Sequence, residues 1–159
     1  MKKPRIYIDT SVIGGCFDEE FKLWSNGLVH DFKSGIFIPV LSDVVAAEVT
    51  DAPALVREKY NEILKSDHEF VESGQEATDL ANGYQVRKIL TPKYYADGLH
   101  IALATVAEVD LLVSWNFKHI VHFDKIRLFN SVNLELGYKP LQIYSPREVT
   151  SMEGASDAG

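Results

Sequence analysis

Short apolar, strand-like runs alternate with longer amphipathic stretches along almost the whole chain, and this alternation constrains the fold most strongly. Predicted strands cover residues 5–9, 36–41, 68–72, 110–115 and 141–145. Predicted helices cover residues 18–33, 43–66, 75–90, 92–108 and 125–136. Because strands that alternate with helices form parallel sheets with crossover helices, the sequence predicts an α/β fold with a central parallel sheet of about five strands.

The length and composition indicate one globular domain, which we place at residues 1–148. Residues 149–159 are small and polar, and are predicted to be a disordered tail. The single cysteine forms no internal disulfide and the basic start MKKPR resembles no signal peptide, so a cytoplasmic protein is expected. No apolar run reaches the roughly 20 residues that a membrane helix needs, so no membrane contact is expected.

The net charge of −7 argues against a protein that coats nucleic acid by charge alone. The charge is uneven, however, since residues 85–127 carry 4 acids against 6 bases. This region could therefore lie near a phosphate group, but an ordinary solvent-exposed mixture of charges would give the same numbers of acids and bases.

Polar residues follow the predicted strands at their carboxyl ends, where open parallel sheets bind ligands. Asp9 follows the first strand, Ser42 and Asp43 follow the second, and Asn116 follows the fourth. An isolated Asp at the position of Asp9 is more often a helix N-cap than a ligand. Its role therefore depends on which other acids lie beside it.

Two further acids, Glu48 and Asp97, lie within apolar helical stretches. The stretch around Asp97 is apolar nearly all round and is predicted to be buried. A buried carboxylate needs a cation, hydrogen-bond donors or a metal ion, and a salt bridge or backbone hydrogen bonds within the core remain the plain alternative. Several carboxylates in one crevice favour Mg²⁺ or Mn²⁺. Zinc motifs, phosphate-binding glycine loops and nucleophile elbows are absent from the sequence, and Gly14 and Gly15 are interpreted as turn glycines.

Four segments in this order resemble the PIN-domain ribonucleases, particularly the VapC-like toxins of prokaryotic toxin-antitoxin modules. They are YIDTSV, LSDVVAAE, ADGLHIALA and DLLVSWNFKHI. The resemblance extends from about residue 5 to about residue 148. It implies a three-layer α/β/α sandwich and an acidic Mg²⁺ or Mn²⁺ site that hydrolyses RNA.

By motif position, the resemblance implies metal-site roles for Asp9, Glu48 and Asp97. The fourth family position is often Asp and is Asn116 here. Asn keeps an oxygen ligand but removes a negative charge, so the sequence leaves open whether the site binds one metal ion or two. The supporting hydroxyl groups are expected to be those of Thr10, Ser11 and Ser114. The candidates to hold flanking RNA phosphates are Lys118, His119 and Lys93.

Four other residues near these motifs receive less prominent roles. Asp110 precedes the fourth strand, about 20 Å from Asn116 at strand rise, and is rejected as a ligand. His100 is expected to form a packing hydrogen bond more readily than to act in catalysis. Trp115 and Phe117 are expected in the core or in a dimer contact before any role in stacking on bases.

The sequence thus predicts a metal-dependent endoribonuclease that leaves 3′-hydroxyl and 5′-phosphate ends, the ends being implied by the family and consistent with attack by water. The resemblance also implies an antitoxin partner and a homodimer. Three alternatives remain: a catalytically weak RNA-binding relative, a domain that mainly binds an antitoxin, and a receiver-like or phosphatase-like domain. The last lacks an aspartate pair after the first strand.

Overall fold

The structure, a computed structural model, describes residues 2–151 and 154–156 and contains one parallel sheet. Its strands are β1 (Arg5–Ile8), β2 (Ile38–Ser42), β3 (Glu69–Val71), β4 (Leu111–Val113) and β5 (Ile143–Tyr144). The strand order is β3-β2-β1-β4-β5, and each neighbouring pair is parallel. The predicted α/β fold with a five-stranded parallel sheet is confirmed.

Helices connect and follow the strands. They are α1 (Thr10–Gly15), α2 (Lys22–Lys33), α3 (Asp43–Thr50), α4 (Ala54–Leu64), α5 (Gln75–Val86), α6 (Tyr95–Val106), α7 (Phe123–Glu135) and α8 (Pro146–Val149). A 3₁₀ turn, Pro92–Tyr94, leads into α6. Within the described residues, no helix is long and apolar enough to cross a membrane.

Two features of the helices differ from the prediction. The single helix predicted over 43–66 is two helices, because Pro53 lacks a backbone N–H and disfavours helical geometry at the preceding residue. The interpretation of Gly14 and Gly15 as turn glycines is wrong, since both lie in α1. Gly15 is needed there for close packing: a Cβ atom would lie 2.6 Å from Trp115 Nε1 and 2.5 Å from Ser25 Oγ.

The central strand β1 is covered on both faces. Successive side chains of a strand point to opposite faces, yet Ile6, Tyr7 and Ile8 are all fully buried. The core therefore extends on both sides of the sheet, as parallel sheets with crossover helices require.

The order of the strands places a crevice beside β1. The chain moves from β1 through β2 to β3 in one direction, and β4 and β5 lie on the other side of β1. Ligands of open α/β sheets bind at such a reversal, outside the carboxyl ends of the two strands. Ile8 pairs with Val113, so Asp9 and Ser114, which follow these residues, lie at this position.

Part of the predicted disordered tail contacts α2. Thr150 Oγ1 donates to the carbonyl oxygen of Trp24, and the backbone N–H and hydroxyl group of Ser151 both donate to the buried carboxylate of Asp31. Thr150 and Ser151 thus differ from the prediction, because Asp31 offers a buried acceptor. Residues 152, 153 and 157–159 lie outside the described residues.

Candidate metal and RNA site

Asp9 occupies the N-cap position of α1, but its carboxylate does not cap that helix. Its two oxygens instead accept hydrogen bonds from Ser11 Oγ at 2.6 Å and from Ser114 Oγ at 2.7 Å. The side chain is buried, and this burial raises the pKa of Asp9 above its usual value. The simple N-cap interpretation therefore does not explain why a carboxylate is here.

The two serines are themselves fixed by the backbone that leaves β4. Trp115 N donates to Ser11 Oγ at 3.0 Å, and Asn116 N donates to Ser114 Oγ at 2.9 Å. Because both hydroxyl oxygens accept these amide protons, their own protons are free to point at Asp9. The loop after β4 thereby holds the carboxylate at the end of β1 in one orientation.

Glu48 projects from α3, which begins with Ser42 as an N-cap that accepts from Val45 N. One Glu48 oxygen accepts from Thr10 Oγ1 at 3.0 Å and lies 2.7 Å from His100 Nε2. Burial raises the pKa of Glu48, but the hydrogen bonds from His100 and Thr10 and the attraction to His100 outweigh burial, and the pKa is lowered. Glu48 is therefore held as a carboxylate.

His100 links Glu48 to the core. Its Nδ1 atom lies 2.6 Å from Tyr7 Oη, which lies 2.8 Å from Ser42 Oγ. Burial lowers the pKa of His100, but the hydrogen bond to Glu48 and the nearby negative charges more than reverse this effect. The contact between Tyr7 and His100 could not be predicted from the sequence, where Tyr7 is one aromatic residue in a strand. A position for His100 near the acidic residues could be predicted, since His100 follows Asp97 by three residues on the same helix.

Asp97 lies in the first turn of α6 and is half-buried. Burial raises its pKa, the nearby charge of Asp9 raises it further, and His119, His100 and a hydrogen bond with Asn116 oppose the shift. Among the described residues no Lys or Arg forms a salt bridge with Asp97. The core salt bridge that the sequence left open therefore has no partner in the described part of the chain.

The Asn116 side chain forms hydrogen bonds both within its own loop and with Asp97. Its Oδ1 atom accepts from His119 N at 2.9 Å, which directs the amide N–H group to its other neighbour, Asp97. An oxygen occupied in this way is a poorer metal ligand than a free carboxylate. The structure thus places Asn116 beside Asp97 as a donor.

The three residues predicted to hold phosphates surround one aromatic ring, that of Tyr94. The Lys93 and Lys118 ammonium nitrogens lie 5.6 Å and 5.9 Å from the centre of the Tyr94 ring, and the His119 ring lies 3.9 Å away, centre to centre. We call these four residues the basic cluster. Burial lowers the pKa of His119 and the nearby Asp97 carboxylate opposes this effect, so the cluster adjoins the acidic residues.

The acids and Asn116 thus lie around one end of the sheet, but they do not form a closed metal cage. Within residues 2–151 and 154–156, no group of three His, Cys, Asp or Glu side chains lies close enough together to hold an ion. The donors are oxygen atoms, and Mg²⁺ usually keeps several waters while it binds one or two carboxylates. The donor chemistry therefore fits a hydrated Mg²⁺ or Mn²⁺ ion.

Asp110 and Trp115 lie as expected, and the exposed position of Phe117 leaves the dimer contact as a prediction. Asp110 accepts from Arg5 N at 2.7 Å, at the opposite end of the sheet from Ser114. Trp115 is buried and stacks on Phe21 with ring centres 4.1 Å apart, whereas Phe117 is 49% exposed and lies outside the core.

No model of a protein family matches this sequence, and no curated protein matches it. The structure is similar to a chain in the crystal structure of VapBC2 from Rickettsia felis bound to a DNA fragment from their promoter. The TM-score is 0.54 and the identity 14%, over 89% of this chain and 98% of that chain. The likeness shows the fold alone. It agrees with the PIN-like architecture that the sequence predicts.

Proposed function

We propose that this protein is a Mg²⁺- or Mn²⁺-dependent endoribonuclease that hydrolyses phosphodiester bonds of single-stranded or looped RNA. The observation that carries the proposal is the buried Asp9 carboxylate, which lies at the strand-order reversal with its charge near those of Glu48 and Asp97. No Lys or Arg among the described residues forms a salt bridge with Asp9. A divalent cation supplies the missing positive charge.

Asp9 and Asp97 would hold a hydrated ion, and Glu48 would bind it directly or through one of its waters. When bound, it supplies a Lewis acid that lowers the pKa of water and neutralises charge on a phosphodiester. The protein's own residues orient the ligands: Ser11 and Ser114 fix Asp9, and Asn116 donates to Asp97. Because the Asn116 oxygen accepts from His119 N, we propose one ion per chain.

The basic cluster supports RNA as the substrate. Lys93 and Lys118 are exposed, and they share a ring in a chain whose net charge is −7. Two ammonium groups held next to the acidic residues attract the phosphates on either side of a scissile bond. With water as the nucleophile the 2′-hydroxyl is not used, so the products carry 3′-hydroxyl and 5′-phosphate ends.

We further propose that the protein is the toxin of a toxin-antitoxin module in the cytoplasm, with a cognate antitoxin as its partner and a homodimer as its assembly. Support comes from the likeness to a chain of VapBC2 and from a surface cavity of about 150 Å³ beside the loop after β4. The residues that line the cavity are Phe21, Trp24, Trp115, Phe117, Glu20, Ser145 and Arg147. Aromatic cavities of this kind receive apolar side chains of a protein partner.

The test is cleavage of a single-stranded RNA with Mn²⁺ and with a chelator, followed by identification of the product ends. We expect cleavage only with Mn²⁺, 5′-phosphate ends, and no cleavage by Asp9→Asn. The matched control is Asp110→Asn, which makes the same chemical change at the opposite end of the sheet and should cleave like the parent. RNA binding without cleavage at any Mn²⁺ concentration would instead favour the RNA-binding alternative.

A further inference from the structure

A chain of hydrogen bonds leads from the core to Glu48. Ser42 Oγ accepts from Val45 N at 3.2 Å, so its own proton is free for Tyr7 Oη at 2.8 Å. Tyr7 Oη also lies 2.6 Å from His100 Nδ1, and the other ring nitrogen of His100, Nε2, lies 2.7 Å from a Glu48 oxygen. His100 Nε2–H donates to the Glu48 carboxylate both in the protonated ring and in the neutral ring that carries its proton on Nε2, so this last bond is present in either state. We call these bonds the core relay.

The core relay joins fully buried groups to a partly exposed one. Tyr7 and Ser42 are 0% exposed and His100 is 2% exposed, while the Glu48 side chain is 41% exposed. A partly exposed Glu is free to adopt several rotamers, and ordering it costs conformational entropy. Because His100 is fixed in the core, its hydrogen bond to Glu48 restricts the rotamers of the Glu48 side chain.

Satisfying buried polar groups does not by itself explain this arrangement. The neighbours of Tyr7 in β1 are Ile6 and Ile8, and a Phe at position 7 would fill the same space with no hydroxyl group to satisfy. The core relay ends on a carboxylate at the carboxyl-terminal side of the sheet, where Asp9 also lies. Its geometry therefore serves the orientation of Glu48.

We infer that Tyr7 and His100 are positioning residues, which hold the Glu48 carboxylate in the orientation that meets a divalent cation. Neither residue touches the substrate or the ion. This inference rests on the proposed function and adds residues that act one layer behind the ligands. Partners that orient a metal ligand commonly change metal affinity 10- to 100-fold when they are replaced.

The test is the Mn²⁺ dissociation constant of Tyr7→Phe, measured by isothermal titration calorimetry. Its matched control is Tyr84→Phe, because Tyr84 is also 0% exposed and its hydroxyl group donates to Asn133 Oδ1 at 2.5 Å, away from the acidic residues. Both variants remove one buried hydroxyl group: Tyr7→Phe loses the bonds to Ser42 and His100, and Tyr84→Phe loses the bond to Asn133. We expect Tyr7→Phe to weaken Mn²⁺ binding about tenfold or more and Tyr84→Phe to bind like the parent.

A second pair of variants tests the same inference at His100. Gln can place an amide N–H group near the position of Nε2, whereas Leu offers no donor. His100→Gln should therefore retain Mn²⁺ affinity closer to that of the parent than His100→Leu does. If Tyr7→Phe does not fold, the two His100 variants still test whether the hydrogen bond to Glu48 supports Mn²⁺ binding.

The outcomes separate the two proposals. A parent protein that fails to bind Mn²⁺ overturns the proposed function and this inference with it. A parent that binds Mn²⁺, with Tyr7→Phe binding as tightly as Tyr84→Phe, overturns the positioning role alone. Equal and undiminished affinity in both His100 variants does the same.

Discussion

Replacing Asp97 by Asn should stabilise the metal-free protein, although it removes a residue of the candidate site. Burial raises the pKa of Asp97, so the folded chain holds the carboxyl proton more tightly than the unfolded chain. At neutral pH the ionised group therefore opposes folding, and the charge of Asp9 adds to the effect. Asn keeps nearly the same volume and still accepts a hydrogen bond from Asn116.

Removal of one such charge typically stabilises a protein by about 0.5 to 2 kcal/mol. In a chain of 159 residues this raises the melting temperature by about 1 to 8 °C. The difference should shrink as the pH falls through the raised pKa toward the unfolded value of about 3.9, because the parent then takes up its own proton.

Differential scanning calorimetry in the presence of a chelator measures this difference. Mn²⁺ at about 100 times its dissociation constant should then stabilise the parent by about 2.7 kcal/mol and Asp97→Asn much less. A buried ion pair at Asp97 predicts the reverse, since breaking one costs about 3 to 5 kcal/mol. A loss of that size in Asp97→Asn, with no effect of Mn²⁺ on the parent, would show that Asp97 belongs to an ion pair and not to a metal site.

Three further predictions address other parts of the site and fold. Lys118→Ala should weaken RNA binding and reduce its salt dependence by about one phosphate contact in a salt titration, whereas Lys139→Ala, on the opposite side, should not. Ser114→Ala should raise the pKa of Asp9 further, because the lost hydrogen bond favours the charged form; NMR titration of the carboxyl carbon would show it. Gly15→Ala should destabilise the fold by about 1 to 3 kcal/mol in denaturant unfolding, since its methyl group would meet an indole and a hydroxyl group. The three predictions would be contradicted by an unchanged salt dependence of RNA binding in Lys118→Ala, an unchanged Asp9 pKa in Ser114→Ala and an unchanged denaturation midpoint in Gly15→Ala.

The sequence could predict the neighbourhood of the site because a parallel sheet brings the carboxyl ends of its strands to one edge. Asp9 and Asn116 follow two strands that lie side by side, and Asp97 needed only the observation that a carboxylate in an apolar helix requires a partner. Their roles at a metal ion stay predictions. The break between α3 and α4 was also open to sequence reasoning, since Pro53 marks it.

Other features depend on distances that no local pattern encodes. The bonds from Ser42 through Tyr7 to His100 cross three elements, and each residue alone looks like a cap, a core aromatic residue or a packing histidine. Likewise, Tyr94 and His119 are 25 positions apart in the sequence, and only the packing of the loop after β4 brings their rings together. Helix α1 was missed because two glycines, poor helix formers, end it.

The position of Mn²⁺ in a crystal of the protein, determined by anomalous scattering, tests the proposed metal site most directly. We predict one anomalous peak per chain in the crevice beyond β1 and β4, within coordinating distance of the carboxylates of Asp9 and Asp97. Crystals of Asp97→Asn treated in the same way should show a much weaker peak at this position. A parent crystal saturated with Mn²⁺ that shows no peak there, or a peak only at other carboxylates, would show that Asp9 and Asp97 do not bind the ion.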